Sequence, residues 1–157
     1  MTLFKKYDIM KNGMVYMRRF FLFRSRWGNL YLHHIRMTDK DRDPHDHPGW
    51  FVSWVLKGWY VEEVWNWVNT VKKSHIWSKK VLRRGRFNVG FRKQSHVHKI
   101  TRLSPGGVWT FVLTGPWGES WGFTKGVGRT FRKGYAATKW VYWREYLNQW
   151  DTAKEIQ

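Results

Sequence analysis

The chain has no cysteine among its 157 residues, so disulfides, thiolate metal sites and thiol nucleophiles are all excluded. Any metal must be held by His, Asp, Glu or carbonyl oxygen. Acidic residues are scarce: 11 Asp and Glu face 29 Lys and Arg, a formal charge of +18. A positive potential of that size favours anionic partners, among them nucleotides, nucleic acid and acidic protein surfaces. No apolar run reaches membrane-spanning length, and the start, MTLFKKYDIMKNGMVYMRRF, has no signal-peptide core. These absences predict a cytoplasmic protein with no membrane partner. The sequence also lacks a P-loop, a GxGxxG turn and a Gly-x-Ser-x-Gly elbow.

Aromatic side chains are abundant instead. Thirteen Trp, ten Phe and seven Tyr exceed what a core of this size needs, so some are expected to face a ligand or a second subunit. Short β-type segments punctuated by turn residues predict one all-β domain over 1–157. An N-terminal hairpin is expected over about 15–37, turning at Trp27-Gly28-Asn29, and a barrel over about 30–123. Two more hairpins are expected, across Lys57-Gly58 and across Ser104-Pro105-Gly106-Gly107. Helical spacing of Tyr146, Leu147 and Trp150 predicts one C-terminal helix over about 143–155.

The most informative stretch is DPHDHPGWFVSWVLKGWYVEEV, Asp43 to Val64. Strand parity puts His45, His47, Phe51, Ser53 and Val55 on one face and Trp50, Val52, Trp54 and Leu56 on the other. If the histidine face lines a barrel, the Trp50/Trp54 face needs its own cover, and a homodimer is the expected source.

These residues resemble a cupin. The spacing of His45-x-His47 to Gly58 matches the first cupin motif, with Phe51 in the glutamate slot and Asp39 in the upstream glycine slot. In the second motif Gly85 fits and Phe91 and Lys93 replace Pro and Gly. His96 lands on the histidine spacing, while His98-Lys99-Ile100 is the stronger local match. The blocks DRDPHDHPGWFVSWVLKGWYVEE, HKITRLSPGGVWTFVLTGP, ESWGF and WVYWREYL are similar, over roughly Leu30 to Leu147, to a family of small cupin-like proteins of bacteriophages and bacteria. The resemblance implies a cupin-type antiparallel β-barrel (double-stranded β-helix or jelly roll). If the chain is phage-encoded, it also implies the host cytoplasm and a role against host defence.

Several chemistries fit. His45, His47 and His98, with His96 as the alternative third ligand, would make a metal site for Fe, Zn, Ni, Mn or Cu with open positions, the setting of a cupin oxygenase. Glu62 and Glu63 are consecutive, so one faces inward and is available to replace the carboxylate missing at Phe51. Alternatively the histidines hydrogen-bond Asp43 or Asp46 and simply rim the barrel. Without metal, the same histidines supply acid and base for phosphodiester hydrolysis. Arg36, Arg42, Arg92, Lys93 and Arg102 are then the anion clamp, and Trp50, Trp59 and Trp109 the stacking platforms. Hydrolysis of an anionic, nucleotide-like molecule is the leading reading. Sequestration of that nucleotide without turnover is the nearest alternative. Nonspecific nucleic-acid binding through RKGYAATK and SKKVLRRGR is another.

Overall fold

The computed structural model describes residues 5–39, 42–70, 73–85, 89–92, 96–116, 120–125 and 139–152. Lys93, RKGYAATK up to Thr138 and the end of SKKVLRRGR lie outside them. Eleven strands and one helix follow in order: β1 (Lys5–Lys11), β2 (Met14–Ser25), β3 (Gly28–Ile35), β4 (Phe51–Lys57), β5 (Trp59–Thr70), β6 (Lys73–Arg84), β7 (Val89–Arg92), β8 (Val97–Leu103), β9 (Val108–Thr114), β10 (Gly122–Lys125), β11 (Lys139–Tyr142) and α1 (Trp143–Thr152).

One sheet has the order β1-β2-β3-β9-β4-β7. The second runs β6-β5-β8, and the pair β10-β11 joins it through a single residue. His45 forms an isolated bridge to His98 of β8 on one side and to Phe123 of β10 on the other. All the strand pairs are antiparallel. The expected all-β architecture with one short C-terminal helix is therefore what the chain adopts.

Alternation builds the interior. Tyr31, His33 and Ile35 of β3, Phe51, Ser53 and Val55 of β4, and Val108, Thr110 and Val112 of β9 are buried on one face of the first sheet. Tyr16, Met17, Ile35, Val55, Tyr60, Ile100 and Val108 close one end as a continuous apolar cluster. The other face of that sheet carries Leu30, Val52, Trp54, Phe111 and Leu113 around an apolar groove, with Trp54 39% and Leu113 46% exposed.

Two of the three expected hairpins are corrected. β4 pairs with β9 and β7, whereas β5 pairs with β6 and β8, so Lys57-Gly58 is a corner between sheets. The Ser104–Gly107 turn likewise passes the chain from β8 to β9, which lie in different sheets. A glycine turn between two apolar runs looks the same in sequence whether the chain folds back on itself or crosses a sandwich. The N-terminal hairpin is real but turns one residue earlier, before Gly28. A further hairpin, β1–β2, turns on Asn12-Gly13, both with positive φ (53° and 72°), the dipeptide most suited to such a turn.

The two corners are stitched together. Ser104 donates its backbone N–H to Trp59 O (2.9 Å), its hydroxyl to Gly107 O (2.8 Å), and accepts from Trp59 N (3.2 Å). Gly58 has φ +82°, and a Cβ there would lie 2.4 Å from Ser104 Oγ and 2.8 Å from Gly107 O. Gly58→Ala is expected to cost about 1–3 kcal/mol and lower the thermal midpoint by roughly 3–10 °C. An unchanged melting curve would mean that this corner does not hold the two sheets in place.

Candidate metal centre

The His45–His47 segment is extended because each histidine-side neighbour constrains it. Asp43 and His47 both precede proline, which biases them away from helix, and Pro44 is fully buried. Backbone bonds then fix the segment between β8 and β10. His45 N donates to His98 O (3.0 Å), His98 N to His45 O (2.9 Å), Thr124 N to Pro44 O (2.8 Å) and Asp46 N to Gly122 O (3.1 Å).

This register brings the histidines together. His45, His47 and His98 each offer a ring nitrogen, and these nitrogens lie within 4.8 Å of one another. The Nε2 atoms of His47 and His98 are 2.8 Å apart. His98 is 6% exposed, and its Nδ1 lies 2.8 Å from Glu62 Oε2. Glu62 has no exposed surface, and its other oxygen accepts from Arg83 Nε at 2.7 Å. Parity thus selects Glu62 over Glu63 as the inward residue. Its carboxylate sits behind His98, orienting that ring with Nε2 toward His47. Glu62 also belongs to a second convergent group with His96 and His98.

Phe51, in the slot where a cupin motif has glutamate, is buried with its ring centroid 4.4 Å from that of His47. The acid has moved, in effect, from β4 to β5. Asp43 and Asp46, expected as histidine partners, hold the C-terminal unit. Tyr146 OH donates to Asp43 Oδ2 (3.2 Å) and accepts from Asp43 N (3.0 Å), while Asp46 accepts from Gly122 N (2.6 Å) and Trp140 Nε1 (3.0 Å). Tyr146 stacks on Phe123 at 3.9 Å, and its burial pushes its phenol up to about 12. The helix is thereby docked over the strand that flanks His45.

The candidate anion clamp is dispersed. Arg42 lies over the Tyr16 ring at 5.7 Å. Arg36 is exposed beside an open cleft of about 610 Å³ that Arg18, His34 and the Ser104–Gly107 turn also line. Arg102 is exposed opposite Val61, and the backbone of Arg92 pairs with Phe51. Trp109 stacks on His34 at 4.4 Å on the outward face of β9. Trp50 is 38% exposed on the face opposite Phe51, and Trp59 is half-buried at the Gly58 corner. The structure therefore brings together the three histidines and Glu62, with Arg42 near enough to act on His45, whereas Arg36 and Arg102 are exposed and Trp109 faces outward.

No protein-family model and no curated protein matches the chain. Solved structures do. HppE in its Fe(II) form with the alternative substrate (S)-1-HPP aligns with TM-score 0.52 and 14% identity, over 71% of this chain and 55% of that one. The hydroxypropylphosphonic acid epoxidase from S. wedmorenis gives 0.50 and 14%, over the same shares. The fold is of the cupin type. An RmlC-like cupin protein from Ralstonia eutropha also aligns, with TM-score 0.46 and 11% identity, over 98% of this chain and 83% of that one. The chain spans about half the length of the epoxidase structures it matches, and at these identities the likeness concerns the cupin fold alone.

Electrostatics set the protonation of His45. Burial, reinforced by His98 and Arg42 and opposed by Asp39, pushes His45 down to about 4, so its imidazole is neutral near pH 7 and has a free lone pair. The unfolded chain takes a proton on His45 near pH 6.5 and the folded chain only near 4. Between those values acid favours the unfolded state. His45 alone should cost metal-free protein up to about 3 kcal/mol of stability as pH falls from about 6.5 to 4, and His45→Gln should make that slope shallower, leaving the part due to His33. A thermal midpoint constant from pH 7 to 4.5 in chelator-treated protein would contradict the neutral His45.

Proposed function

We propose that this cupin is a metal-dependent protein acting on a small anionic, nucleotide-like molecule, with His45, His47 and His98 as the ligands. The observation that carries the reading is the convergence of three imidazole nitrogens, with His47 and His98 Nε2 at 2.8 Å and His98 fixed from behind by Glu62. Nitrogen ligands about 2.0–2.1 Å from a common ion lie about 3 Å apart when adjacent, so the pair has metal-ligand spacing. A carboxylate on the far nitrogen of a ligand histidine is the usual outer partner of such a site. The donor set suits Fe(II), Mn, Ni or Zn, and the Fe(II) form of the fold neighbour HppE supports iron first.

A bound metal would polarise an oxygen of the ligand and supply the electrophile. The chain's own residues do the rest. Glu62 fixes His98 in the tautomer with its proton on Nδ1, which leaves Nε2 as a donor to metal. Arg83 pairs with the Glu62 carboxylate and holds it in place. Phe51 walls His47 with apolar surface and limits water there. Metal-free phosphodiester hydrolysis needs a histidine that gives up a proton near neutrality, and a His45 held neutral down to about 4 is unsuited to that role. The exposed Trp54 and Leu113 face of the first sheet supports a homodimer as part of this reading.

The test is metal uptake by untagged, chelator-stripped protein. Wild type is expected to take up one equivalent of Fe(II) or Co(II). His47→Ala should lose essentially all of that affinity, and Glu62→Gln about 10–100-fold. Equal uptake by wild type and a His45→Ala/His47→Ala double variant would remove the site from the account. Loaded protein is then offered cyclic and linear nucleotides: chemical conversion supports an enzyme, and depletion of intact nucleotide supports sequestration.

A further inference from the structure

The same barrel holds a positive charge that no acid answers. Arg19 of β2 pairs across the ladder with His33 of β3, and His33 pairs with Thr110 of β9, so the three form one row on the inward face of the first sheet. Arg19 Nε donates to His33 Nε2 at 3.1 Å, and its guanidinium carbon lies 5.0 Å from the Tyr31 ring centroid. Neither partner is anionic, since burial and then the Arg19 charge hold His33 well below its usual range and keep it neutral. Among the described residues no carboxylate comes within ion-pair distance of Arg19. Enough water is lost around it to pull even its own pKa down. Guanidinium stays charged regardless, so the row carries a half-buried cation with no acid beside it on the inward face of the sheet.

Polar atoms beside it are unsatisfied too. Thr110 is 2% exposed and its Oγ1 has no hydrogen-bond partner; Asn29, on the same face of β3, is 5% exposed with Oδ1 in the same condition. Burying a hydroxyl and an amide oxygen with nothing to meet them costs free energy, and such groups persist where something else completes them. The row also connects to the histidines. Tyr31, under the guanidinium, packs in one cluster with Phe51 and Val112, and Phe51 stacks edge-on against His47.

We propose that Arg19, with Thr110 beyond His33 in the same row, is an anion-binding subsite that takes the phosphoryl group of the ligand while the histidine end engages the remainder. This rests on the reading above that the barrel receives an anionic ligand. With Nε committed to His33, the two terminal nitrogens of the fork remain to meet two phosphoryl oxygens, and the Thr110 hydroxyl supplies a further donor. None of the arginines singled out from the sequence sits in this row. Arg19 was hidden in a run, MRRFFLFR, that reads as an ordinary basic strand face.

Inorganic phosphate is the probe, titrated into metal-free protein in 0.3 M NaCl while the arginine Nε–Hε resonances are followed by NMR. The Arg19 resonance, identified by its disappearance in Arg19→Lys, is expected to shift and saturate. Phosphate affinity should fall about tenfold or more in Arg19→Gln and several-fold in Thr110→Val, and stay unchanged in His47→Ala. Acetate should bind more weakly than phosphate. Absence of a saturable Arg19 shift in wild type overturns the subsite, whether or not Arg19→Gln folds. So does phosphate affinity that survives Arg19→Gln, or that vanishes in His47→Ala alone. Acetate binding as tight as phosphate overturns the phosphoryl assignment. Phosphate on Arg19 in a protein that takes up no metal would sink the metal reading and leave this one standing.

Discussion

A carboxylate with no exposed surface must have its charge met inside the protein, and Glu62 meets it with Arg83 on one oxygen and His98 on the other. The rest of the site follows from that requirement. Glu62 is fixed in the middle of β5, which aligns Val64 with His98 in β8. His98 in turn bridges by backbone to His45, and His45 to Phe123. One buried ion pair therefore sets the direction of the His98 ring, and the strand beside it determines where His45 and His47 arrive. Removing Arg83 would leave the Glu62 carboxylate buried with only His98 to meet it, which is far more costly than the pair is stabilising.

The opening stretch was readable because parity is a local property. His47 and Phe51 do share a face, Trp50 and Trp54 do point away, and proline placement explains why the histidine segment stays extended. The Asn12-Gly13 turn is just as readable from its dipeptide. Other features were not local. Nothing in the spacing distinguishes the Lys57-Gly58 corner from a hairpin turn, because sheet membership depends on partners more than thirty residues away in β7 and β9. That Glu62 rather than Glu63 faces inward required knowing which face of β5 meets β8.

Charge was the strongest compositional signal and the hardest to place. A surplus of Lys and Arg predicts anionic partners but puts basic residues near every motif, so arginines next to the histidines in sequence were natural choices for a clamp. Arg36 and Arg102 turned out to be exposed, whereas Arg19, remote in sequence, lies on the inward face. What sets Arg19 apart from the exposed arginines is its inward face and the lack of an acid partner among the described residues. That is a property of the folded barrel and not of the sequence.

The account stands on three imidazole nitrogens sharing one ion. Crystals of untagged protein loaded anaerobically with Co(II), measured at the cobalt edge, test it most directly. An anomalous peak about 2.0–2.2 Å from ring nitrogens of His45, His47 and His98 is the predicted result. Full-occupancy cobalt elsewhere, with His47 Nε2 and His98 Nε2 still hydrogen-bonded to each other, would contradict it.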